Sequence, residues 1–322
     1  MAVLTPIDEP EAAALLADYG RGPLRRLEGI AGGSVNTNYA LEDAAGRVFL
    51  RLYEEQDGPG ARGETALLER LARAGVPTPA PLRRRDGAFV GTLRGKPVAL
   101  FPWLDGRMRC QASVSPEDAG RVGEALARVH VAGKGESPVE GRFGIPELRR
   151  RLDGIERSGH PEFAPLVPKL RAALDEAHHA RDPRLPRGLV HGDLFRDNVL
   201  WDPVGRIAAL LDFESACDGP YAYDLMVTVL SWCFGDDLDG RLASAMRAGY
   251  ERVRPLEAPE VRGLAAEGAF AALRFTITRI TDYAMRTGAA GPRVVKDWSR
   301  FLKRFEKLRA LGADGVARLL LA

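Results

Sequence analysis

A strand–turn–strand segment in the second half of the chain constrains the fold more than any other feature. Two short apolar runs, 199–201 and 207–211, flank the turn-forming sequence Asp-Pro-Val-Gly at 202–205, which predicts a β-hairpin. Asn198 comes directly before the first strand and Asp212 directly after the second. Because the outer ends of two hairpin strands lie side by side, the hairpin brings a carboxamide and a carboxylate close together.

Asp193 lies shortly before Asn198, in a loop that can point into the same space. Mg²⁺ prefers hard oxygen ligands such as those of Asn198 and Asp212. Phosphoryl transfer also needs a separate carboxylate that orients the attacking hydroxyl and accepts its proton. A single Asp or Asn in a turn is more often a local hydrogen-bonding group, so the prediction of a phosphoryl-transfer site depends on the three residues together.

The joint pattern His191-Gly-Asp193 with Asn198, followed by Leu211-Asp-Phe213, resembles the catalytic loop and metal motif of the aminoglycoside phosphotransferase and choline kinase superfamily. This superfamily is related to the protein kinases. The resemblance implies Asp193 as the base, Asn198 and Asp212 as ligands of Mg²⁺, and His191 as support for the loop. It also implies an α+β, two-lobed protein-kinase-like fold, with a small antiparallel-sheet N-terminal lobe containing one helix and a larger, mainly helical C-terminal lobe.

The order of elements along the chain agrees with this plan. Strands are predicted over 24–30, 37–41, 47–53, 88–93 and 97–101, with one helix over 64–74. After residue 106 helical patterns dominate, over 115–131, 161–180, 221–234, 238–252, 257–286 and 293–311. We therefore predict a nucleotide-binding lobe over residues 1–104, a hinge at about 101–106, and a catalytic and substrate-binding lobe over 105–322.

Three features of the first lobe are candidates for binding ATP. Gly32, Gly33 and Ser34 form a turn whose backbone N–H groups can approach phosphate closely, although such a turn is also common in plain hairpins. The chain lacks the GxxxxGK[ST] motif at this turn, which argues against a P-loop ATPase. Phe101 and Trp103 lie in the predicted linker, where a hinge offers backbone hydrogen bonds and apolar walls to adenine.

Kinases of this type place a lysine on the third strand and pair it with a glutamate on the following helix. In this chain the strand position is Arg51, and Glu64 is the expected partner. An Arg–Glu pair can be bidentate and preserves the positive charge. Three interpretations of Arg51 stay open: contact with ATP, a tie between sheet and helix, or an exposed charge at the sheet edge.

Over nearly its whole length the chain resembles homoserine kinases of the aminoglycoside-phosphotransferase-like type. The resemblance is carried by Gly32-Gly-Ser-Val-Asn-Thr-Asn38, Gly75-Val-Pro-Thr-Pro79, His191-Gly-Asp-Leu-Phe-Arg-Asp-Asn-Val199, Leu211-Asp-Phe-Glu-Ser-Ala-Cys-Asp-Gly-Pro220, Tyr223-Asp-Leu225, Ala272-Leu-Arg-Phe275 and Arg279. It implies transfer of phosphate from ATP to the hydroxyl of homoserine, a step toward threonine. Kinases for aminoglycosides, methylthioribose or choline-like alcohols share the catalytic set and remain alternatives, as does a non-catalytic ATP-binding regulator.

Homoserine carries a carboxylate and an ammonium group, so a selective site needs a cation and an anion. The predicted helix over 269–286 has an apolar face formed by Phe270, Leu273, Ile277, Ile280 and Ala284. Arg274 lies on the flank of this face and Arg279 nearly opposite its centre, so Arg274 is the better candidate for a carboxylate clamp. Both arginines are also compatible with ordinary salt bridges on a helix surface.

Further polar residues near the motifs are candidates for the substrate site. Arg196, in the catalytic loop, is a candidate for the substrate or for the γ-phosphate of ATP. Glu214 and Asp218 follow the metal motif and are candidate partners of the ammonium group.

Composition excludes several other classes of function. Lys and Arg number 46 against 44 Asp and Glu, a net charge of +2, which argues against nucleic-acid or membrane partners. Three cysteines lack metal-ligand spacing, and the N-terminal residues lack the pattern of a signal peptide. We therefore expect a cytoplasmic enzyme that acts on a small molecule. The sequence does not indicate an oligomeric state.

Overall fold

The computed structural model describes residues 4–30, 35–135, 141, 143–285 and 296–321. The predicted phosphate-turn residues Gly32, Gly33 and Ser34 lie outside these ranges. The chain divides into two compact units. The first is formed mainly by residues up to Gly106 and the second mainly by residues from Arg107 onward.

The first unit contains an antiparallel sheet with helices. Its elements are α1 (Glu9–Asp18), β1 (Arg26–Ile30), β2 (Thr37–Asp43), β3 (Gly46–Leu52), α2 (Gly58–Arg73), β4 (Val90–Leu93) and β5 (Lys96–Pro102). The strands are ordered β1-β2-β3-β5-β4, and all neighbours are antiparallel. The predicted strands are confirmed to within two residues at either end.

Helix α1 adds a second helix to the one predicted for this unit. It begins after Asp8, whose carboxylate accepts a hydrogen bond from the Glu11 N–H at 2.9 Å, while the Glu11 side chain accepts one from the Asp8 N–H. This reciprocal capping satisfies N–H groups that the first helical turn leaves without partners. Leu15 and Leu16 are buried in a cluster with Leu50 of β3, so α1 contributes directly to the core of the first unit.

Helix α2 begins six residues before the predicted start at Glu64. Asp57 is its N-cap and accepts a hydrogen bond from the Gly60 N–H at 2.8 Å. The glycines in the first turn hid this start from the sequence pattern, because glycine is a poor helix former. Gly75 follows the helix with φ of 84°, a left-handed conformation that glycine adopts without strain and that commonly ends a helix.

The second unit is mainly helical. Its elements are α3 (Pro116–Ala132), α4 (Ile145–Ser158), α5 (Val167–His179), β6 (Arg187–Val190), β7 (Val199–Trp201), β9 (Cys217–Pro220), α6 (Tyr221–Trp232), α7 (Gly240–Glu251), α8 (Ala258–Arg279) and α9 (Ser299–Leu321). The strand β8 (Ile207–Leu210) follows β7 along the chain, and its residues from Ala208 onward belong to the first unit. The predicted hairpin is confirmed as the two-stranded sheet of β7 and β8. Ser115 is the N-cap of α3, where its side-chain hydroxyl accepts a hydrogen bond from the Asp118 N–H at 3.1 Å.

The predicted apolar face of α8 is buried at Phe270, Leu273 and Ile277, but the expectation that the opposite side faces solvent is wrong. Every residue from Phe270 to Thr278 is buried, because α8 packs against α4, α5, α6 and α9 and has no solvent-facing side along this length. A helix that is enclosed on all sides needs no apolar stripe. The helix also ends earlier than predicted, at Arg279, and continues as a π-helical turn over Ile280–Ala284.

Other helix bounds in the second unit differ from the prediction. Helix α4 was not predicted, α5 begins at Val167 rather than 161, and α9 runs from Ser299 to Leu321 rather than over 293–311. No helix among the described residues is both long and apolar enough to span a membrane.

Candidate active site

The predicted catalytic loop begins where β6 ends. Val190 is the last residue of β6, which pairs antiparallel with β9, and His191 follows it. Gly192 has φ of 75°, and a Cβ atom there would lie 2.8 Å from the carbonyl oxygen of Ser215. Both features require glycine. The loop therefore passes in close contact with the backbone that follows the predicted metal motif.

A buried carboxylate on α6 holds the start of this loop. Asp224 is 0% exposed and accepts hydrogen bonds from the backbone N–H groups of His191, at 2.6 Å, and Gly192, at 2.8 Å. Burial works against its charge, but hydrogen bonds from the His130 side chain and the loop hold the pKa of Asp224 below its ordinary value. Asp224 therefore stays ionised and fixes two consecutive backbone amides next to Asp193.

His130, on α3, supports Asp224 from the other side. Its Nε2 lies 2.9 Å from the Asp224 carboxylate and its Nδ1 lies 2.7 Å from the Tyr250 hydroxyl. Burial lowers the pKa of His130, so the neutral ring bridges the two side chains. No sequence motif indicates a role for His130 or Asp224. Asp224 lies within the Tyr223-Asp-Leu225 motif, but its hydrogen-bond partners on α3 and in the loop lie far away in sequence.

Asp193 projects from the loop with about a fifth of its side chain exposed, 21%. Burial raises the pKa of Asp193 to about 6, an effect that the Arg274 guanidinium partly opposes. Its backbone N–H donates to Nδ1 of His191 at 3.3 Å. Above that pKa the side chain is a carboxylate able to accept a proton, and His191 supports the backbone beside it.

The structure brings Asn198 and Asp212 toward Asp193. The side-chain amide of Asn198 donates to the backbone carbonyl of Asp193 at 2.8 Å, which leaves its Oδ1 as an acceptor. The Asp212 carboxylate contributes to raising the pKa of Asp193, and its backbone has φ of 62° and ψ of 66°, a left-handed conformation uncommon for a residue with a Cβ. One carboxamide oxygen and one carboxylate form a hard-oxygen donor set that fits Mg²⁺.

The far end of the loop is fixed to the C-terminal end of α6. The indole N–H of Trp232 donates to the carbonyl of Leu194 at 3.0 Å. Arg196 donates to the carbonyl of Ser231 and to the side chain of Gln111. The guanidinium of Arg196 thus neutralises the negative end of a helix dipole and ties the loop down.

Arg274 lies beside the predicted base. It is 4% exposed, and its Nη1 lies 3.3 Å from the Gly192 carbonyl and 3.9 Å from the Asp193 carboxylate. Its guanidinium stacks between the rings of Phe143, at 4.2 Å, and Phe275, at 3.8 Å. Its Nε is buried without a hydrogen-bond partner. This loosely paired buried cation is suited to bind an anion.

Arg279 does not project away from the protein as predicted. Its guanidinium packs over the rings of Phe195, at 5.8 Å, and Phe301, at 4.5 Å, and donates to the carbonyl of Asp297 at 2.9 Å. Burial lowers the pKa of Arg279 to about 10. The helical-wheel prediction failed because α9 covers the side of α8 that was expected to face solvent. Glu214 lies in the short 3₁₀ turn Phe213–Ser215 that follows Asp212.

In the first unit, Arg51 and Glu64 form the predicted ion pair, with 3.0 Å between Nη1 and Oε1. Both side chains are largely buried, so Arg51 ties β3 to α2 and is not an exposed edge charge. Phe101 is buried in β5, and the ring of Trp103 lies 3.9 Å beneath the Arg47 guanidinium.

A family model described as the phosphotransferase enzyme family matches residues 26–256. The chain belongs to this family. The match includes both the catalytic loop and the Arg51–Glu64 pair, so the motifs from which phosphoryl transfer was predicted lie inside it. Membership confirms the predicted resemblance and the prediction of an enzyme that transfers phosphate.

Full-length comparisons agree with this membership. The chain is 37% identical over 302 residues to a protein of Caulobacter sp. (strain K31) named homoserine kinase, covering 90% of this chain and 91% of that one. The predicted fold is confirmed by solved phosphotransferase structures. An aminoglycoside phosphotransferase from Alicyclobacillus acidocaldarius superimposes with a TM-score of 0.67 at 19% identity, covering 98% and 97% of the two chains. Amicoumacin kinase hAmiN, solved with AMP-PNP, Ca²⁺ and its antibiotic, gives a TM-score of 0.69 at 16% identity, with 96% and 94% covered.

Proposed function

We propose that this phosphotransferase transfers the γ-phosphate of ATP to the hydroxyl of homoserine. The observation that carries the proposal is the 37% identity, over nine-tenths of both chains, to a relative named homoserine kinase. The buried, loosely paired Arg274 beside Asp193 supports an acceptor that carries an anionic group close to its hydroxyl.

Asp193 is the base in the proposed reaction. The acceptor hydroxyl hydrogen-bonds to its carboxylate and loses its proton to it as the hydroxyl oxygen bonds to the terminal phosphorus of ATP and ADP departs. Asp224 and His191 keep Asp193 in place through the loop backbone. Because the Asp193 carboxylate is partly buried, it loses part of its hydration and is a stronger proton acceptor than an exposed aspartate.

Asn198 and Asp212 would hold the divalent metal ion, which we propose is Mg²⁺. When bound, the ion neutralises charge on the phosphate oxygens of the nucleotide. The complex of amicoumacin kinase with AMP-PNP and Ca²⁺ supports the use of ATP with a divalent cation in this fold. Arg196, with its contacts to the end of α6, is proposed to position the catalytic loop and not to touch phosphate.

We propose that the two parts of the chain have different ligands. Residues 1–104 bind the nucleotide, with Gly32, Gly33 and Ser34 near its phosphates. Phe101 and Trp103 contact the adenine and belong to a hinge at 101–106. Residues 105–322 hold the catalytic loop and the acceptor. The Arg51–Glu64 pair supports this division, because it fixes the sheet to α2 and holds a cation inside the first unit.

Wild-type enzyme is expected to phosphorylate homoserine far better than 3-aminopropanol, which lacks only the carboxylate. Without the carboxylate, the buried Arg274 would be left unpaired, and such a loss typically lowers kcat/KM by about 10²-fold or more. In the Arg274→Gln variant this preference should shrink through lower activity on homoserine, while KM for ATP changes little. Coupled ADP-release assays with both alcohols, at saturating ATP and Mg²⁺, measure all of these values.

Arg279→Gln is the matched control for this experiment, because it removes a second arginine of α8 that contacts aromatic rings. It should leave the preference for homoserine unchanged. If the wild type used both alcohols equally well, an amino acid would be excluded as the acceptor, and an aminoglycoside-like substrate would be favoured. A strong preference that survives Arg274→Gln would move the carboxylate clamp to another cation.

Arg51→Ala and Glu64→Ala are each expected to raise KM for ATP by about tenfold. Either change breaks this largely buried ion pair. Because the two side chains contact each other, the double variant should raise KM for ATP by less than the product of the two single effects. Michaelis constants for ATP in the three variants give the coupling energy. Strictly additive effects would show that the pair does not act as a unit in nucleotide binding.

A further inference from the structure

A cavity of about 500 Å³ opens within the second unit beside the catalytic loop. Gly192 of the loop and Arg274 of α8 line one part of it, together with Tyr223 of α6. Glu267 and Phe270, on the same face of α8 as Arg274, line it further along. The cavity volume lies within the range of small-molecule sites and leaves ample room for an acceptor of the size of homoserine.

The charges around this cavity favour an anion at Arg274. Glu267 is paired with Arg181 at 2.8 Å, and Asp218 is paired with Arg187. Arg274 has no comparably close partner among the residues that the structure describes, since its nearest carboxylate lies 3.9 Å away and its Nε is unpaired. A ligand with one negative charge can therefore supply the missing hydrogen-bond acceptor to Arg274.

Tyr223 is exceptional within its helix. It is the single residue of α6 that is not fully buried, and it lines the cavity. Its ring packs edge-on against Phe270 with centroids 6.2 Å apart, and no hydrogen bond joins its hydroxyl to the described part of the chain. Burial raises the pKa of Tyr223 to about 12, with Arg274 the strongest opposing charge, so the side chain is a neutral hydroxyl close to that guanidinium.

A carboxylate has two oxygens, and a neutral phenol beside an arginine can donate to one while the arginine donates to the other. We propose that Arg274 and Tyr223 together bind the carboxylate of the acceptor, and that Tyr223 thereby determines the preference for a hydroxy acid over a simple amino alcohol. This inference rests on the proposed function, since it takes homoserine as the acceptor.

Tyr223→Phe tests the role of the hydroxyl, because it keeps the ring and its packing on Phe270. Initial rates are measured with homoserine, with 4-hydroxybutyrate, which lacks the ammonium group, and with 3-aminopropanol, which lacks the carboxylate. We expect KM to rise by about tenfold or more for both acids, the usual effect of losing a hydrogen bond to a charged group. KM for 3-aminopropanol and kcat for all three acceptors should stay within about twofold of wild type.

Tyr221→Phe is the matched control. Tyr221 belongs to the same helix but is buried against His130 and does not line the cavity. Tyr221→Phe should leave KM and kcat for all three acceptors unchanged. This result would separate the loss of the Tyr223 hydroxyl from a general disturbance of α6.

Other results would overturn the inference. Weaker use of homoserine and 3-aminopropanol with unchanged use of 4-hydroxybutyrate would mean that Tyr223 binds the ammonium group. An equal effect on all three acceptors, or none, would leave Tyr223 a packing residue. If wild-type enzyme does not use homoserine, the proposed function fails together with the inference. If the wild type phosphorylates homoserine and Tyr223→Phe has unchanged kinetics, the inference about Tyr223 fails but the proposed function stands.

Discussion

Replacing Asp193 by asparagine is expected to lower kcat by about 10²- to 10⁴-fold, the usual contribution of a general base. Asparagine has nearly the same shape and can keep the hydroxyl of the acceptor in place, but it cannot take up its proton. The backbone contacts of Asp193 to His191 and Asn198 do not involve the replaced carboxylate and should persist. The fold and KM for ATP should therefore be nearly unchanged.

Single-turnover measurements with homoserine and ATP give the rate of the chemical step in the Asp193→Asn variant. Asp197→Asn is the matched control, because it makes the same substitution on an exposed carboxylate of the same loop, two residues before β7. It should retain activity within about threefold of wild type. Wild-type turnover by a properly folded Asp193→Asn variant would show that another group, or solvent, accepts the proton.

The sequence was sufficient to predict the proximity of the candidate site residues that one short segment contains. His191, Asp193 and Asn198 lie on one loop, and the hairpin that follows returns the chain to Asp212, so local geometry was sufficient to bring them together. The strands of the first unit were also predicted well, because alternating apolar residues between Gly- and Asp-containing turns specify an antiparallel sheet locally.

Features that depend on tertiary packing were predicted poorly. The sequence pattern of α8 suggested one apolar face, but the structure buries every residue from Phe270 to Thr278 and brings Arg279 into contact with Phe301. Helix α2 begins in a glycine-rich stretch because Asp57 caps it, although local propensity argued for a later start. In both cases neighbours that are distant in sequence, or a single capping contact, outweighed the local pattern.

The support beneath the loop could not be predicted for the same reason. Asp224 and His130 are separated by much of the second unit in sequence, and only folding brings the carboxylate against the loop amides and the imidazole against the carboxylate. A buried Asp or His in a helix carries no signal of its partner in a single sequence. The candidate catalytic residues could therefore be proposed from the sequence, whereas the groups that hold them in position could not.

Asp224→Ala is expected to destabilise the protein by about 3–5 kcal/mol, because it leaves buried donors without their charged acceptor. These donors are the N–H groups of His191 and Gly192 and the Nε2–H of His130. Asp224→Asn is the gentler variant, since it keeps the volume but turns one acceptor into a donor that faces another donor. We expect Asp224→Asn to fold with a lowered Tm and to show kcat reduced by about 10²-fold, the typical result of a small displacement of catalytic groups.

Tyr250→Phe separates a loss of stability from a loss of positioning. It removes the hydroxyl that contacts Nδ1 of His130 but leaves Asp224 and its two bonds to the loop in place. This variant should lose about 1–3 kcal/mol of stability and keep kcat within about threefold of wild type. Thermal unfolding and kcat are measured on all three variants. We expect the loss of kcat not to follow the loss of stability across the series. If kcat fell in proportion to stability across the series, Asp224 would be a structural residue of the core. A large fall in kcat that is confined to the Asp224 variants would mean that Asp224 positions Asp193.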